Sequence, residues 1–522
     1  MDCTASRSGR WLAVMREVAG TVRPGSSANF VARLRQALGI TEQMATALLA
    51  GLDALTEFAT APVDPHTAAV DTEGAAVHAG LAAARPLLEA RLQQQLDALD
   101  EQTAGATVCH KCGATAQSQG RRARPWTSLT GRLKLTRRYA YCEACDCGRA
   151  LAQERLGLSE SPFTPRLEEV GTLLATTVPH GMAADLARKL LGVELSAKGL
   201  QQMTERRAQL LAVQLHTGAA VYDRLDAQGL PVRHQRRPAD AVATAPAVAY
   251  LEMDGVVPMT REEIPRHELT PAERARQQRA RRAKTRGGGG RRYRVVGREV
   301  KNAVLYTAAD CVAESASRDC ITAKRYVSHL GDWETFTRLL WVEMLRQRHD
   351  QAPRLVVLSD GSEWIRSVCD RLPLRPLFIL DLFHVKHRLW EVANLLHGEH
   401  TPAARVWAEE QGTLVEEGKT ARVIATLRWL KPRRRQTREA ARLLADYLQS
   451  NLSRMDYPAY KRQGLRVGSG AVESANYHVT GARLKLQGMR WSEQGAREMA
   501  YLRADLFNGD WEMRTRQLRA AG

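Results

Sequence analysis

The chain has 522 residues, of which 44% are hydrophobic and 25% charged, an ordinary mixture for a soluble protein of two to four domains. Its net charge of +19 and sequence pI of about 9.8 favour a polyanionic partner, either a nucleic acid or an anionic membrane surface. No uncharged apolar run reaches the roughly 18 residues that a spanning helix needs, and no signal peptide is recognisable. The sequence therefore predicts a cytoplasmic protein without a membrane partner.

The first 105 residues favour an all-helical N-terminal region. They are rich in Ala, Leu, Gln and Glu, and the stretches 33–55 and 76–99 have the apolar spacing of helices rather than the alternation of strands. The pattern leaves two roles open for this region, dimerisation and simple packing.

Residues 106–150 predict a small zinc-ribbon-like module. Two CxxC pairs are separated by 29 residues, and the segment 133–141 between them alternates in the way that is typical of a β-hairpin. Such pairs favour one structural Zn²⁺ ion held by four thiolates over disulfides. The predicted ligands are Cys109, Cys112, Cys142 and Cys145. Cys147 could replace Cys145, and His110 could also ligate, whereas a redox-active CxxC would explain only one of the pairs.

Residues 151–230 return to helical spacing. Within them, residues 183–211 are typical of two helices joined by a short turn, with Ser196 as the N-cap of the second helix. Such a pair favours a helix-turn-helix that reads base edges, although helix pairs are also common in proteins that bind no DNA. Three prolines in residues 231–247 then indicate a linker.

Residues 248–510 predict an α/β domain in which strands alternate with helices. Strands are expected at 248–259, 295–308, 354–359 and 377–380, helix across 317–347, and a helical insertion across 388–462. Residues 261–298 hold 13 Arg or Lys against four Glu and show no apolar period, which predicts a mobile basic loop that contacts DNA. A solvated insertion without a partner is the alternative.

Three acidic residues of this domain stand out by their context. Asp254 lies in an apolar strand, Asp360 follows the strand 354–359, and Glu473 lies in the first turn of a helix. Buried acidic groups are costly unless they are paired or metal-bound, and together these can hold two Mg²⁺ or Mn²⁺ ions about 4 Å apart. Taken singly, each Asp-Gly pair is more often a turn, and Glu473 more often complements a helix dipole.

Five motifs within residues 248–506 resemble the DDE transposases of bacterial insertion sequences, which have an RNase H-like fold. They are EMDG at 252–255, LSDGSEWI at 358–365, ILDLFH at 379–384, GSGAVES at 468–474 and RLKLQGMRW at 483–491. In combination and order they are similar to the ISKra family, which is related to Mutator-like transposases. The cysteine pairs and the helical region after them resemble that family less specifically.

The resemblance implies roles for particular residues. Its metal-binding carboxylates correspond to Asp254, Asp360 and Glu473. Asp381 and His384 match an Asp-x-x-His signature downstream of the second Asp, which implies that they support the active site or orient DNA. From the residues alone, Asp381 also ends a strand and therefore rivals Asp360 as a metal ligand, and His384 could equally be a core histidine.

Basic residues near these motifs are candidates for contacts with DNA phosphates. The predicted DNA-binding residues are Arg466, Arg483, Lys485, Arg490 and Trp491, and Lys386 and Arg388 are further candidates. Trp491 would either stack on a base or pack in the core.

The sequence as a whole predicts a transposase that cuts the ends of its mobile element and joins them to target DNA. Its expected partner is double-stranded DNA, which would place the protein at the nucleoid, and the pairing of two ends favours a homodimer. Two alternatives stay open: an RNase H-like nuclease without strand transfer, and a non-catalytic DNA-binding protein derived from a transposase. Acidic residues at all three positions argue against the second alternative.

Overall fold

The computed structural model describes residues 27–62, 67–103, 107–109, 111–158, 160–221, 237–265, 267–282, 293–315 and 318–521. The chain divides into two compact units, residues 1–204 with 515–522 and residues 205–514. The division falls inside the helix Ala197–Val221 rather than at the linker predicted for residues 231–247. None of the described helices combines the length and the apolar character that a membrane crossing requires.

Helices form most of the first unit, as predicted for the described part of residues 1–105. They are α1 (Ser27–Leu38), α2 (Glu42–Thr60), α3 (Ala69–Gln102), α4 (Leu151–Arg155), α5 (Pro165–Thr177), α6 (His180–Leu191) and α7 (Ala197–Val221), which continues past the division. Helices α2 and α3 approach closely at Gly51, where a Cβ atom would lie 2.8 Å from the carbonyl oxygen of Ala83. The Oγ atom of Ser196 accepts a hydrogen bond of 3.0 Å from the Gly199 N–H, which confirms the predicted N-cap of α7.

A four-stranded antiparallel sheet lies between α3 and α4. Its strands are β1 (Thr107–Val108), β2 (Thr115–Ser128), β3 (Gly131–Cys142) and β4 (Cys147–Arg149), in that order. Trp126 of β2 pairs in register with Leu133 of β3, and both are fully buried. Leu135 packs beside Trp126 against Leu96 of α3. The alternation at residues 133–141 therefore puts one face of the hairpin on the helix, and the predicted hairpin is confirmed.

The second unit is built on a mixed sheet. The strands of the whole unit, in chain order, are β5 (Val248–Val256), β6 (Met259–Glu263), β7 (Tyr293–Gly297), β8 (Val300–Thr307), β9 (Cys311–Ser315), β10 (Arg318–Ile321), β11 (Arg325–Leu330), β12 (Arg354–Ser359), β13 (Leu377–Leu380) and β14 (Trp491–Ser492). Five of them form a sheet of order β11-β8-β5-β12-β13. Strand β8 runs antiparallel to both neighbours, whereas β5, β12 and β13 are mutually parallel.

The remaining helices lie between residue 271 and residue 521. They are α8 (Pro271–Arg282), α9 (Trp333–Arg346), α10 (Glu363–Arg371), α11 (Leu382–His397), α12 (Pro402–Glu416), α13 (Thr420–Trp429), α14 (Arg435–Asn451), α15 (Tyr457–Arg462), α16 (Gly470–Ala475), the π-helix Asn476–Gly481, α17 (Ala482–Leu484), α18 (Glu493–Phe507) and α19 (Trp511–Ala521). The predicted helical insertion is thus α11 to α15. It shares one core with the sheet, in which Leu389 and Leu444 of the insertion belong to the same buried cluster as Val356 of β12.

Two secondary-structure predictions in this unit need correction. The helix expected across residues 317–347 is wrong in its first half, where β10 and β11 form instead. β11 is an edge strand whose residues pair with β8 from Arg325 opposite Leu305 to Leu330 opposite Val300. Residues 327–330 of β11 are all buried, so both faces of the strand are covered, and the alternation that marks a half-buried strand is absent. The strand expected at 295–308 is interrupted after Gly297 and forms β7 and β8.

The basic segment 261–298 is also more ordered than the predicted loop. Its described residues form the end of β6, helix α8 and strand β7, and residues 266 and 283–292 lie outside the described part. Helix α8 begins with a capping arrangement: Thr270 Oγ1 accepts from the Glu273 N–H, and Glu273 accepts in return from the Thr270 N–H at 3.0 Å. The sequence signal for this helix was therefore the cap and Pro271 after it, not an apolar period.

The segment predicted as a linker is fixed where it is described. Arg237 makes a bidentate ion pair with Asp350, with two contacts of 2.8 Å. The Val242 N–H donates a hydrogen bond of 2.9 Å to the carbonyl oxygen of Arg346. Residues 237–242 therefore lie against α9 and the turn after it. Residues 231–236 lie outside the described part.

Candidate active site and metal centre

Asp254 and Asp360 lie beside each other at the carboxyl ends of two parallel strands. In the pairing of β5 with β12, Ser359 lies opposite Met253. Asp254 and Asp360 are the next residues of these two strands, and both are half-buried. Because the carboxyl ends of parallel strands meet at the same edge of a sheet, this edge carries two carboxylates.

The carboxylate of Asp254 is held by a chain of amides. Asn476 donates its Nδ2 hydrogen to Asp254 Oδ2 at 2.6 Å, and Asn302 donates to Asn476 Oδ1 at 2.6 Å. Asn302 Oδ1 in turn accepts hydrogen bonds from the hydroxyls of Ser328 and Thr480, at 2.6 and 3.0 Å. These bonds fix Asp254 relative to strands β8 and β11 and the π-helix. The sequence reading missed Asn476 and Asn302.

The surroundings of Asp254 oppose its ionisation. Burial, and then the negative charges of Asp360, Glu473 and Glu299, raise the pKa of Asp254 to about 6. A carboxylate whose pKa is raised by other carboxylates lies in a region of negative electrostatic potential. The other two predicted catalytic residues therefore both act electrostatically on Asp254.

Glu473 projects from the first turn of α16 and is exposed. Its pKa is raised by burial and by the negative charge of Asp381, and His387 opposes that effect. Helix α16 continues directly into the π-helix that carries Asn476. π-helical turns inside helices are often found at functional sites. One irregular helix thus carries both Glu473 and the amide that binds Asp254.

Glu252, a second residue that the sequence reading missed, connects this helix to the sheet. It is fully buried, and its two oxygens accept hydrogen bonds from the Tyr306 hydroxyl at 2.6 Å and the Val472 N–H at 2.9 Å. Burial raises the pKa of Glu252 to about 7 despite these donors. A charged residue two positions before Asp254, on the same face of an apolar strand, was the available signal.

Asp360 lies in a tight turn that begins α10. Its Oδ1 accepts from the Ser362 N–H at 2.8 Å and its Oδ2 from the Ser362 hydroxyl at 2.7 Å. Gly361 has a φ of 84°, a left-handed conformation that glycine adopts at little cost. The Tyr447 hydroxyl of α14 donates to the main-chain oxygen of Asp360 at 2.6 Å. The helical insertion therefore helps to position this carboxylate.

Asp381 acts as a local anchor. Its Oδ1 caps α11 by accepting from the Phe383 N–H at 2.7 Å, and its Oδ2 accepts from the hydroxyl of Ser469, just before α16. Both oxygens are occupied and the residue is buried, which favours the supporting role over that of a metal ligand. His384 Nε2 accepts from Arg388 Nε at 3.0 Å, and burial, followed by the charge of Arg388, lowers the pKa of His384.

Two of the predicted DNA-contacting residues pack inside the domain, Arg483 completely and Trp491 in part. Arg483 is fully buried, with its guanidinium 4.9 Å from the centre of the Trp491 ring, so it cannot reach a phosphate. Trp491 is half-buried beside a hydrophobic cluster and donates its indole N–H to the Leu484 carbonyl at 3.2 Å, which favours its role in the core. Lys485 and Arg490 are exposed, whereas Arg466 is half-buried and lowers the pKa of Glu252.

The four predicted cysteine ligands converge in the first unit. The sulfurs of Cys109, Cys112, Cys142 and Cys145 all lie within 4.8 Å of one another. They come from the turns between β1 and β2 and between β3 and β4. Backbone N–H groups of residues 112 and 111 lower the pKa of Cys109 to about 5. A site of four thiolates with this spacing could hold a metal ion.

A fifth sulfur lies at the edge of this cluster. Cys147 Sγ is 3.1 Å from Cys145 Sγ and 3.5 Å from Cys109 Sγ, so the alternative in which it replaces Cys145 stays open. His110 lies outside the described residues. Across the part of the chain that the structure describes, these four cysteines alone form a metal-compatible group of three or more ligands. The three carboxylates therefore do not form a closed cage for a cation.

The C-terminal part of the chain matches a known family model. Residues 298–519 match a family described as "Uncharacterised protein family (UPF0236)", a description that assigns no function. The match covers less than half of the chain. It includes Asp360 and Glu473 and excludes Asp254 and the cysteine cluster. No curated protein matches the chain.

Proposed function

We propose that the protein is a DDE-type DNA transposase with an RNase H-like catalytic domain, which cleaves DNA at the ends of an insertion sequence and transfers the strands to target DNA. The sheet of the second unit supports the fold. Counted in chain order, its strands have the order 3-2-1-4-5, with the second strand antiparallel to its neighbours. That arrangement is compatible with the RNase H-like fold that the sequence motifs resemble.

One observation carries the chemical part of the proposal. Asp254 and Asp360 are neighbours at the carboxyl edge of the sheet, and the pKa of Asp254 is raised by both Asp360 and Glu473. These residues are separated by more than 100 positions in sequence, so their common location is a property of the fold. Clustered carboxylates with perturbed pKa values favour a functional site over a purely structural one.

The donor chemistry of this cluster fits Mg²⁺ or Mn²⁺. Hard carboxylate oxygens suit these ions, and a divalent cation would relieve the repulsion that raises the pKa of Asp254. Asp254, Asp360 and Glu473 would hold the ions. When bound, two such ions activate the attacking oxygen and stabilise the leaving oxygen of a phosphodiester. Among the described residues the three carboxylates do not form a group compact enough to hold a metal ion as they stand, so metal binding would draw them closer.

The residues around the carboxylates have positioning roles in this proposal. Asn476 orients Asp254, Ser362 orients Asp360, and Glu252 holds the start of α16 through the Val472 N–H. Asp381 and Ser469 fix the loop that precedes the same helix. Supporting groups of this kind keep ligands within the narrow range of geometry that catalysis needs.

The cysteine cluster would be a structural zinc site. Four thiolates close the tetrahedral coordination of Zn²⁺, so no position remains for a substrate. The positive charge of the chain supports double-stranded DNA as the partner. Transfer of two element ends would require a homodimer or a larger assembly, and DNA binding would place the protein at the nucleoid.

The proposal is tested with purified protein, Mn²⁺ or Mg²⁺, and DNA duplexes taken from the two flanks of the coding region. We expect cleavage and joining by the native protein. The Asp254→Asn, Asp360→Asn and Glu473→Gln variants should each lose at least about 10³-fold in rate and retain DNA binding. Glu410→Gln, which removes an exposed carboxylate from α12, is the matched control and should keep full activity.

The alternatives predict different products. Cleavage without joining would favour an RNase H-like nuclease. Binding without cleavage in either metal would favour a non-catalytic DNA-binding protein. If any one of the three carboxylate variants retains near-native strand transfer, the role assigned to that residue is wrong.

A further inference from the structure

One face of the helix that carries Glu473 lies in solvent. Between residues 471 and 480 the buried residues are Ala471, Val472, Ala475, Val479 and Thr480. The exposed residues are Glu473, Ser474, Tyr477 and His478, which recur at the four-residue spacing of one helical face. The next exposed charged residue along the chain is Lys485, directly after α17. The exposed side chains therefore follow one another as a carboxylate, an aromatic pair and a cation.

Tyr477 lies beside two of the three carboxylates. The Asn476 N–H donates to the carbonyl oxygen of Val472, so the helix is still α-helical at this point. Residues four apart on such a helix have Cβ atoms about 5–6 Å apart, which makes Tyr477 a neighbour of Glu473. The residue before it, Asn476, donates its side-chain amide to Asp254 Oδ2 at 2.6 Å. The same turn thus binds one carboxylate and carries Tyr477 next to another.

The ring of Tyr477 is available for a ligand, and its backbone is fixed. The residue is 69% exposed, and its contact with the His478 ring is T-shaped, with centroids 4.8 Å apart, so His478 covers at most one face of the Tyr477 ring. Two N–H groups of the buried Arg503 donate to the carbonyl oxygens of His478 and Val479. An aromatic ring on a fixed backbone offers a flat contact surface at a small cost in conformational entropy.

The position and chemistry of this ring favour a nucleobase as its occupant. The face of an aromatic ring is electrostatically negative, which disfavours a free anion. Tyr477 lies about 6 Å along the helix from Glu473, whereas successive phosphates of a DNA strand are about 3.4 Å apart along the axis. A base one or two nucleotides from a phosphodiester at Glu473 would therefore reach the ring. Inside a duplex both faces of a base are covered by its neighbours, so the base must be unpaired.

We propose that Tyr477 stacks on an unpaired base next to the phosphodiester held at Asp254, Asp360 and Glu473, so that the protein binds DNA whose strands are locally separated at the reacting position. The inference rests on the proposed function for the location of the phosphodiester. Stacking tolerates any base, so Tyr477 would hold the strand without reading its sequence.

The test measures DNA binding by fluorescence anisotropy without divalent metal, so that the DNA stays intact. Two fluorescein-labelled 30-bp duplexes carry a six-nucleotide single-stranded 3′ extension, made of thymidines in one and of abasic nucleotides in the other. Both have the same phosphates, so their difference in affinity reports contacts with bases. The native protein should prefer the thymidine extension about 10-fold, a value within the range for one stacked base. Tyr477→Ala should lose most of this preference, and Tyr477→Phe, which keeps the ring, should retain it.

The control removes an exposed aromatic side chain elsewhere. Trp429, the last residue of α13, is 81% exposed, and Trp429→Ala should keep the native preference. Thermal unfolding of all three variants should match that of the native protein, since both side chains lie in solvent. An unchanged preference in Tyr477→Ala, an equal loss in Trp429→Ala, or no preference in the native protein would overturn the role of Tyr477 and leave the catalytic proposal intact. If the native protein binds neither DNA, both proposals fail.

Discussion

The cysteine cluster and the carboxylate site are organised in opposite ways. The four cysteines come from two short turns of one hairpin sheet, and their sulfurs already lie within 4.8 Å of one another. The carboxylates come from two strand ends and a helix that are far apart in sequence, and hydrogen bonds from Asn476 and Ser362 orient the two aspartates. Local geometry brings the four sulfurs together, whereas in the proposed active site the carboxylates stay open to solvent and raise the pKa of Asp254.

The largest expected effect tests the cysteine cluster as a metal site. Cys142→Ser, which replaces a buried member of the cluster, should abolish stoichiometric zinc binding and destabilise the first unit by several kcal/mol, because binding of a structural zinc ion contributes directly to folding. Metal content by mass spectrometry and thermal unfolding by circular dichroism measure both effects. Cys369→Ser, at a buried cysteine of α10 outside the cluster, is the control and should retain zinc.

The same measurement separates Cys145 from Cys147. Cys145→Ser should lose zinc and Cys147→Ser should keep it. The reverse result would assign the fourth ligand to Cys147, and retention of zinc by the Cys142→Ser variant would disprove the four-cysteine site.

The second prediction concerns the pH dependence of the carboxylate unit. Burial raises the pKa of Glu252 to about 7, so between its unfolded value near 4.5 and about 7 the native state binds more protons than the unfolded state. The contribution of Glu252 to stability is therefore complete below about pH 4.5 and is lost as the pH rises to 7. The loss is about 3 kcal/mol at 1.36 kcal/mol per unit.

Urea unfolding of the native protein and of the Glu252→Gln variant between pH 4.5 and 8 tests this directly. Glutamine keeps an acceptor for the Val472 N–H but does not titrate, so the difference in unfolding free energy between the two proteins should change in favour of the variant as the pH rises. A difference that is constant with pH would mean that Glu252 titrates normally.

The third prediction concerns the carboxylate site around Asp254 and rests on the proposed function. Asn476→Ala removes the hydrogen-bond donor to Asp254 and should lower the strand-transfer rate about 10- to 100-fold, the range expected for groups that orient a metal ligand. The dependence of the rate on Mn²⁺ concentration should shift upward. A variant with a lower rate and an unchanged Mn²⁺ dependence would show that Asn476 has only a structural role.

The smallest expected effect tests whether a cation relieves the electrostatic repulsion between the carboxylates. Mg²⁺ at ten times its dissociation constant should stabilise the native protein by about 1.4 kcal/mol. The Asp254→Asn variant should gain much less, because it has lost both a ligand and a source of repulsion. Thermal unfolding with and without Mg²⁺ measures the difference. Equal stabilisation of both proteins would place the binding of Mg²⁺ elsewhere.

Local patterns in the sequence were sufficient to predict several elements of the first unit and two strands of the sheet in the second unit. The CxxC spacing and the alternation at 133–141 predicted the hairpin and the cysteine ligands, and Ser196 marked the N-cap of α7. The apolar runs at 354–359 and 377–380 predicted buried parallel strands. Each of these features depends on residues that are close in the chain, so the sequence carries its signal directly.

Other features depend on contacts between separate segments of the chain, and the sequence patterns did not predict them. β11 is a strand because it pairs with β8, and Glu252 is a partner of Tyr306 and Val472 only after the sheet and α16 have met. By itself the sequence determined the residue types that could bind metals and the local turns that present the cysteines. The tertiary structure alone decided that the charges of Asp360 and Glu473 act on Asp254 and that Asn476 orients it, because each of these partners is more than 100 positions from Asp254 in the sequence.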